Sequence, residues 1–180
     1  VAIVTGGSPM NLTEVHKLAD AVLLVWYPGE EGGNAVADII FGKNSPSGRL
    51  PITFPMTIED LPAYEDYTME GRTYKYMDVV PMYPFGYGLS YTDFEYSEIK
   101  LSRDKIKKNE SVEASIKVTN TGDFEADEVV QVYLKDVKAS SRVPNFELVA
   151  FKNIHLKRGE SKELNFEITP EMLSFIDDNG

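Results

Sequence analysis

Two short apolar runs near the start of the chain predict neighbouring strands of a parallel sheet. The first covers residues 1–4 and is followed by the strand-ending glycines Gly6 and Gly7. The second covers residues 21–26. Unbroken apolar runs of this length are typical of strands that are buried on both faces. We therefore expect both runs to lie centrally in an α/β layer.

Two segments beside these runs predict helices. Residues 12–18 carry apolar side chains three apart, and residues 35–41 carry them at helical spacing up to Gly42. Asn11 and Asn34 precede the two segments, and an asparagine there can cap a helix by accepting a hydrogen bond from a free amide. The opening of the chain therefore predicts the order strand, helix, strand, helix.

Proline and aromatic residues dominate residues 44–91. Proline restricts the unfolded chain, and tyrosine and phenylalanine bury large areas, so this stretch can be ordered without regular helices or strands. We interpret it as a packed connector. Its prolines are Pro46, Pro51, Pro55, Pro62, Pro81 and Pro84.

From residue 94 onward the apolar positions alternate with a period of two, which predicts half-buried antiparallel strands. Turn residues separate the alternating segments at the spacing of a β-sandwich. We expect five or six strands, whereas such sandwiches usually have about seven. The inward positions are Ile99 and Leu101; Val112, Ala114, Ile116 and Val118; Val130, Val132 and Leu134; Leu148 and Ala150; and Leu164, Phe166 and Ile168.

Composition and charge exclude several classes of protein. The 180 residues are 42% hydrophobic and 26% charged, which excludes disorder. The net charge of −11 repels nucleic acid and anionic lipid. No apolar run is long enough to span a membrane. The absence of cysteine excludes disulfides. Because the chain starts with Val1 inside an apparent strand, we expect it to be a piece of a longer protein.

A glycine-rich loop at residues 29–34 invites comparison with phosphate-binding loops at helix N-termini. It lacks the lysine and hydroxyl of a Walker motif and the spaced glycines of a dinucleotide fingerprint. Its glutamates, Glu30 and Glu31, would also repel a phosphate. We interpret it as a tight turn whose acidic groups complement the helix dipole.

Two pairs of neighbouring carboxylates are candidates for acid/base chemistry: Glu30 with Glu31, and Glu65 with Asp66. Glycoside cleavage uses two carboxyl groups about 5 to 9 Å apart across a sugar, and neighbours in sequence seldom face one pocket. We favour solvated carboxylates or local caps for both pairs.

Other catalytic or metal-binding signals are weak. His16 and His155 are the only histidines, and neither has a second ligand at metal-binding spacing. The G-x-S-x-G elbow of serine hydrolases is absent. We therefore predict no metal site and no cofactor.

Ten of the aromatic residues between positions 26 and 91 could stack on sugars or form a hydrophobic contact between domains. Their density favours the contact, because aromatic side chains dominate burial at interfaces. Substrate-binding residues stay unassigned. These ten residues are Trp26, Tyr27, Tyr64, Tyr67, Tyr74, Tyr76, Tyr83, Phe85, Tyr87 and Tyr91.

Several motifs in order resemble the C-terminal part of family 3 glycoside hydrolases of the β-xylosidase and β-glucosidase type. They are W-Y-P-G-E-E-G-G-N-A-V-A-D at 26–38, S-P-S-G-R-L-P-I-T-F-P at 45–55, G-R-T-Y-K-Y at 71–76 and Y-P-F-G-Y-G-L-S-Y at 83–91. The resemblance continues through N-T-G at 120–122, E-V-V-Q-V-Y at 128–133 and L-K-R-G-E-S at 156–161. It covers essentially the whole chain.

The resemblance implies a partial α/β layer followed by an all-β, fibronectin type III-like sandwich, truncated at both ends. Residues 1–56 would be the end of the α/β sandwich domain and 57–92 the Pro/aromatic-rich connector. Residues 93–180 would be the fibronectin type III-like domain without its closing strand or strands. Exposed edges and faces of such a piece predict self-association.

The resemblance also implies where catalysis lies. The family's nucleophilic aspartate belongs to a barrel domain, and its acid/base glutamate generally precedes the matched stretch, so no catalytic residue is expected in this chain. The parent would be a periplasmic or secreted, retaining exo-β-glycosidase acting on β-D-xylosides or β-D-glucosides. The segments at 61–67 and 71–74 resemble the xylosidase branch more closely.

The partners implied are the rest of the parent glycosidase and its oligosaccharide substrate, with neither nucleic acid nor membrane. Two other classes stay open. The chain could be a carbohydrate-binding or protein-interaction module without hydrolase activity, or a scaffold that docks the rest of its own polypeptide.

Overall fold

The computed structural model describes residues 1–175, which separate into two compact units. The first unit contains residues 1–44 and 48–89. The second contains residues 45–47 and the described chain from residue 90 onward. Within residues 1–175, no helix is long and apolar enough to cross a membrane.

The first unit starts with the predicted parallel pair. Strands β1 (Ala2–Thr5) and β2 (Val22–Trp26) pair in parallel, with a register irregularity between Val4 and Thr5. Contrary to the expectation of burial, Ile3 is 50% exposed. The pair is the whole of its sheet within the described residues, so neighbours that would cover Ile3 are missing.

Two helices flank the pair, α1 (Thr13–Leu18) and α2 (Gly32–Ile40). The prediction for Asn11 is only partly correct: its Oδ1 accepts a hydrogen bond from the Thr13 amide at 2.9 Å, but the helix starts one residue later than predicted, and Leu12 occupies the N-cap position. The prediction for Asn34 is wrong. Helix α2 begins at Gly32, two residues before Asn34, so Asn34 lies inside the helix. Its side chain donates a hydrogen bond to Glu31 Oε2 at 2.5 Å.

The apolar face expected for α1 is also only partly correct. Leu12, just before the helix, is buried at 4% exposure, whereas Leu18 is 85% exposed. Since α1 has only six residues, Leu18 lies in its last turn, where side chains of the first unit no longer cover it.

The proline-rich stretch of the first unit is mostly irregular, as expected. It contains a 3-10 turn (Ile58–Asp60) and one helical turn, α3 (Thr73–Tyr76). Its two ends, near 50–54 and 83–87, run side by side. The Leu50 amide donates to the Tyr87 carbonyl at 2.8 Å, and the Phe54 amide donates to the Tyr83 carbonyl at 2.9 Å.

A close backbone approach completes this contact between two of the sequence motifs. A Cβ on Gly88 would lie 2.2 Å from the Gly48 carbonyl oxygen and 3.0 Å from Cδ of Arg49. Only glycine fits there, which explains the glycine of the 83–91 motif in physical terms.

Phe54 is the centre of the first unit. It is fully buried, and its ring meets Trp26 and Tyr83 edge to face at centroid distances of 6.4 and 6.2 Å. Tyr83 in turn stacks on Tyr87 at 5.5 Å. Aromatic residues from β2 and from both ends of the proline-rich stretch therefore form one internal cluster.

The second unit contains six strands up to residue 175, where the described part of the chain ends. They are β3 (Phe94–Tyr96), β4 (Lys100–Leu101), β5 (Val112–Asn120), β6 (Ala126–Leu134), β7 (Glu147–Leu156) and β8 (Ser161–Ile168). Strand β5 pairs with β8 along one side and with the short β3 and β4 along the other, while β6 and β7 form a second sheet. All of these pairs are antiparallel. A 3-10 turn at Glu171–Leu173 follows.

The core of the second unit confirms most of the alternating pattern. Val118, Val130, Leu156, Leu164 and Phe166 form one buried cluster. The prediction that Ile99 and Leu101 point inward is wrong. They are 56% and 51% exposed at the edge of the sheet. The predicted sandwich domain extends to residue 180, and residues 176–180 lie outside the described part of the chain.

A buried asparagine, Asn120, stabilises the C-terminal end of β5 through side-chain hydrogen bonds. The Asn120 side chain accepts hydrogen bonds from the Thr92 hydroxyl at 2.7 Å and the Gly122 amide at 3.2 Å. It donates to the carbonyls of Phe124 at 2.7 Å and Leu156 at 3.1 Å. Its amide group therefore uses all of its hydrogen-bonding capacity away from water.

Candidate functional site

The first candidate carboxylates lie at the start of α2. Glu31 precedes the helix and accepts a hydrogen bond from Asn34, while Glu30 is exposed on the preceding loop. A carboxylate at this end of a helix complements the helix dipole. Glu31 is therefore engaged with its own helix.

The second candidate pair lies in a turn of the proline-rich stretch. Asp66 Oδ1 accepts hydrogen bonds from the amide and the hydroxyl of Thr68, at 2.9 and 2.7 Å. The Thr68 side-chain bond, followed by the backbone bond, holds the pKa of Asp66 below its ordinary value. A general acid needs a raised pKa, so this environment opposes that role for Asp66.

The two histidines lie in different units. His16 Nδ1 is 2.8 Å from the Tyr83 hydroxyl in the first unit. In the second unit, His155 Nδ1 is 2.8 Å from Asp127 Oδ1, and its Nε2 is 3.9 Å from Glu125 Oε2. The sequence could not reveal this contact, because it depends on the pairing of His155 with Asp127 across β6 and β7.

These contacts do not form a metal centre. Within residues 1–175, no group of three or more histidine, cysteine, aspartate or glutamate side chains is arranged to hold a metal ion.

Sequence reasoning also missed a buried carboxylate. Glu128 is 7% exposed and accepts a hydrogen bond from the Tyr96 hydroxyl at 2.7 Å. The alternation contained the signal, since Glu128 has the same parity along β6 as Val130 and Val132 and therefore points to the same side. The bond to Tyr96 makes this an internal structural contact of the second unit.

The first unit contains an open cavity of about 810 Å³. Its walls come from three irregular segments: the loop after β1, the first part of the proline-rich stretch, and the region around α3. Its lining is mainly apolar. The lining residues are Pro9, Met10, Asn11, Pro51, Ile52, Thr53, Pro55, Thr57, Ile58, Leu61, Met69, Arg72, Thr73, Tyr74, Lys75, Met77 and Phe85.

Two lining residues have unusual backbone conformations. Met69 and Thr73 have φ angles of 64° and 57°, which side chains with a Cβ rarely adopt and β-branched threonine least of all. Such angles persist only when the surrounding structure holds them. Part of that support comes from Tyr74, whose ring stacks on Phe85 at 4.2 Å.

The ionisable side chains of the cavity lining are those of Arg72, Tyr74 and Lys75. Its lining includes no aspartate, glutamate or histidine. The Arg72 guanidinium donates to the backbone carbonyls of Ala63 and Asp66, at 2.8 Å each, so that charge is engaged by the adjacent turn. A mainly apolar wall of this kind can receive an apolar surface.

The aromatic residues divide into a set that packs around the buried Phe54 ring and a set that is strongly exposed. Trp26, Tyr83 and Tyr87 belong to the cluster around Phe54. Tyr64 and Tyr67, in contrast, are 85% and 83% exposed. The sequence alone does not separate the two sets, because residue type does not show which aromatic side chains are buried.

A partial α/β layer followed by an antiparallel sandwich is the order of domains that the sequence motifs predicted. Residues 1–91 match the model of the glycosyl hydrolase family 3 C-terminal domain, and residues 128–180 match the fibronectin type III-like domain. The chain belongs to glycosyl hydrolase family 3 and contains its C-terminal region. The family and fold expected from the motifs are thereby confirmed.

Similar proteins are named as glycosidases. A putative beta-xylosidase of Formosa agariphila is 47% identical over 170 residues, which cover 92% of this chain and 22% of that protein. A periplasmic beta-glucosidase of Salmonella typhimurium is 43% identical, over 97% of this chain and 24% of that protein. The chain thus spans less than a quarter of either relative.

Solved structures share the arrangement. A beta-glucosidase from Listeria innocua in complex with isofagomine has a TM-score of 0.85 at 36% identity, over 98% of this chain and 26% of that one. A beta-D-glucoside glucohydrolase from Trichoderma reesei has a TM-score of 0.88 at 28% identity, over 98% and 29%.

Proposed function

We propose that this chain is the structural C-terminal part of a retaining exo-β-glycosidase that hydrolyses β-D-xylosides or β-D-glucosides. The main support is that the candidate carboxylates Glu31 and Asp66 bond within their own local structures, while the large cavity is apolar. Names of relatives support the substrate class, since they include both a beta-xylosidase and a beta-glucosidase.

In this proposal the two reacting carboxyl groups come from the longer polypeptide. One carboxylate attacks the anomeric carbon, the other carboxyl group protonates the leaving oxygen, and water then releases the glycosyl-enzyme. The first unit contributes β1, β2 and α2 to the α/β layer that holds the acid/base group in position. Catalytic groups need such rigid support, because small displacements reduce the rate steeply.

The experiment compares the 180-residue chain with the full-length polypeptide, using 4-nitrophenyl β-D-xyloside and β-D-glucoside. We expect no nitrophenol release by the chain, and hydrolysis with retention of configuration by the full-length protein. Release by the chain that disappears in Glu31→Gln or Asp66→Asn would contradict the structural role. Inversion of configuration would contradict the proposed mechanism.

We also propose that the parent works outside the cytoplasm, as the periplasmic name of one relative supports. Periplasmic or extracellular location of the full-length protein in fractionated cells is the expected result. A cytoplasmic location would oppose it.

Self-association of the isolated chain is a further part of the proposal. Ile3 is half exposed on the two-stranded sheet, and β8 pairs with β5 alone among the described strands. Exposed apolar faces and open edges favour association with another chain. Analytical ultracentrifugation should detect oligomers, and a well-behaved monomer at high concentration would oppose this part.

A further inference from the structure

The turn around residues 63–68 presents two tyrosines to solvent. Tyr64 is 85% and Tyr67 is 83% exposed, and neither makes a ring contact or a hydrogen bond with another described side chain. Two exposed aromatic rings three residues apart in one turn offer a surface on which a ligand can pack. The internal aromatic cluster around Phe54 does not use them.

The turn is held in one conformation by its own hydrogen bonds. The Asp66 amide donates to the Ala63 carbonyl at 3.0 Å, which places Tyr64 at the corner of the turn. Arg72 Nη2 donates to both the Ala63 and the Asp66 carbonyl at 2.8 Å. Asp66 also accepts the two hydrogen bonds from Thr68, which fix the following step of the backbone.

A fixed backbone matters for binding, because a ligand does not have to order it. Preorganisation of this kind increases affinity by lowering the entropic cost of the complex. The side chains offered are two phenol rings, each with an apolar face and a polar tip, together with the exposed carboxylate of Glu65 between them.

This combination suits a neutral ligand that has both C–H faces and hydroxyl groups. The rings can pack against C–H faces, and the Glu65 carboxylate can accept hydrogen bonds from hydroxyl groups. Anionic ligands are disfavoured, because Glu65 and Asp66 lie in the turn and the whole chain carries a net charge of −11.

We propose that Tyr64 and Tyr67 form a platform that binds a β-linked xylo- or gluco-oligosaccharide. The inference rests on the proposed function, which makes such an oligosaccharide the parent enzyme's substrate. The tyrosines would contact sugar rings, and Arg72 would be a positioning residue that acts through the turn.

The test is a binding measurement on the 180-residue chain, with xylohexaose and cellohexaose titrated separately and followed by saturation-transfer NMR. We expect the double variant Tyr64→Ala/Tyr67→Ala to bind about tenfold more weakly than the native chain. The variant Tyr64→Phe/Tyr67→Phe keeps both rings and should bind within about twofold of the native chain. Arg72→Met should weaken binding by an intermediate factor, because it frees the turn while keeping the rings.

The matched control is Tyr27→Ala, which removes a tyrosine of similar exposure, 79%, outside the turn. It should leave the affinity unchanged. The inference is overturned if the native chain binds neither oligosaccharide, if the double alanine variant binds as well as the native chain, or if the double phenylalanine variant loses as much affinity as the alanine one.

The result is separable from the proposed function. Hydrolysis is assayed on the same samples, and sugar release by the chain would contradict the structural role while leaving the binding comparison intact. Unchanged binding in the alanine variant, with an inert chain and an active full-length protein, would contradict the platform alone.

Discussion

The two units are stabilised in different ways. In the second, alternate residues of long strands form the core, and neighbours such as Val118 and Val130 share the burial. In the first, regular structure is short, and the interior depends on one aromatic cluster around Phe54 and on close backbone contacts. Periodic cores distribute their stability over many similar residues, whereas an irregular interior concentrates it in a few.

The largest effect should come from removing the centre of the first unit. Phe54→Ala deletes a fully buried ring and leaves a cavity between Trp26 and Tyr83, at a cost of about 4 kcal/mol in the free energy of unfolding. Trp26 is the single tryptophan, so its fluorescence during chemical denaturation reports on this unit.

The control for Phe54 is Phe41→Ala, which removes a phenylalanine that is 81% exposed. It should change the unfolding free energy by less than about 0.5 kcal/mol. Equal shifts for the two variants would show that the first unit does not depend on its aromatic centre, and the contrast between the units would be lost.

The second largest effect tests a feature of the sandwich that the alternating apolar pattern does not include, the buried side chain of Asn120. Asn120→Leu removes a fully buried amide that makes four hydrogen bonds, two of them buried and two part-buried, so the partner groups lose these bonds. We expect a loss of about 3 kcal/mol in the unfolding free energy, measured by far-ultraviolet circular dichroism. Asn153→Leu, at an exposed position of β7, is the matched control. A loss below about 1 kcal/mol for Asn120→Leu would mean that the core of alternating residues is sufficient alone.

The third effect concerns backbone contacts of the first unit. Gly88→Ala places a methyl group 2.2 Å from the Gly48 carbonyl, and the backbone must move to relieve it. We expect a loss of about 2 kcal/mol. Gly33→Ala is the control, because a Cβ there has no neighbour within 4 Å and lies inside α2. It should stabilise the protein by about 0.5 to 1 kcal/mol, since alanine is the better helix former. The pair is compared in the same denaturation experiment, and destabilisation of equal size would refute the contact.

The same contrast explains what the sequence could predict. Strands β5, β6 and β8 follow from alternation alone, because a two-residue period needs no knowledge of the partner. The motifs led to the family and to the C-terminal position of the chain within it. The early start of α2 was missed because Asn34 suits a cap by residue type, yet its side chain bonds to Glu31 from within the first turn.

Contacts between distant residues stayed hidden. The role of Asn120 depends on Thr92 and Leu156, which are 28 and 36 residues away in the chain. The fit of Gly88 against Gly48 depends on two irregular segments meeting, and irregular segments have no period to read. The division between internal and exposed aromatic residues is hidden for the same reason, so the Tyr64 and Tyr67 turn required the structure.

The smallest effect is the contribution of a turn residue, Glu160, to stability, and it depends on pH because it comes from a carboxylate. In the turn between β7 and β8, Glu160 Oε2 accepts a hydrogen bond from the Lys157 amide at 2.9 Å, and this bond lowers the pKa of Glu160 below its ordinary value of 4.5. Because the folded-state pKa is the lower one, the stabilisation is present above about pH 4.5 and disappears as the pH falls through the folded-state value. Glu160→Gln should therefore lower the melting temperature more at pH 7 than at pH 3. The shift at pH 7 should be the smallest of the four, since the group is exposed and water screens its charge. An equal shift at both values would mean that the carboxylate charge does not stabilise this turn.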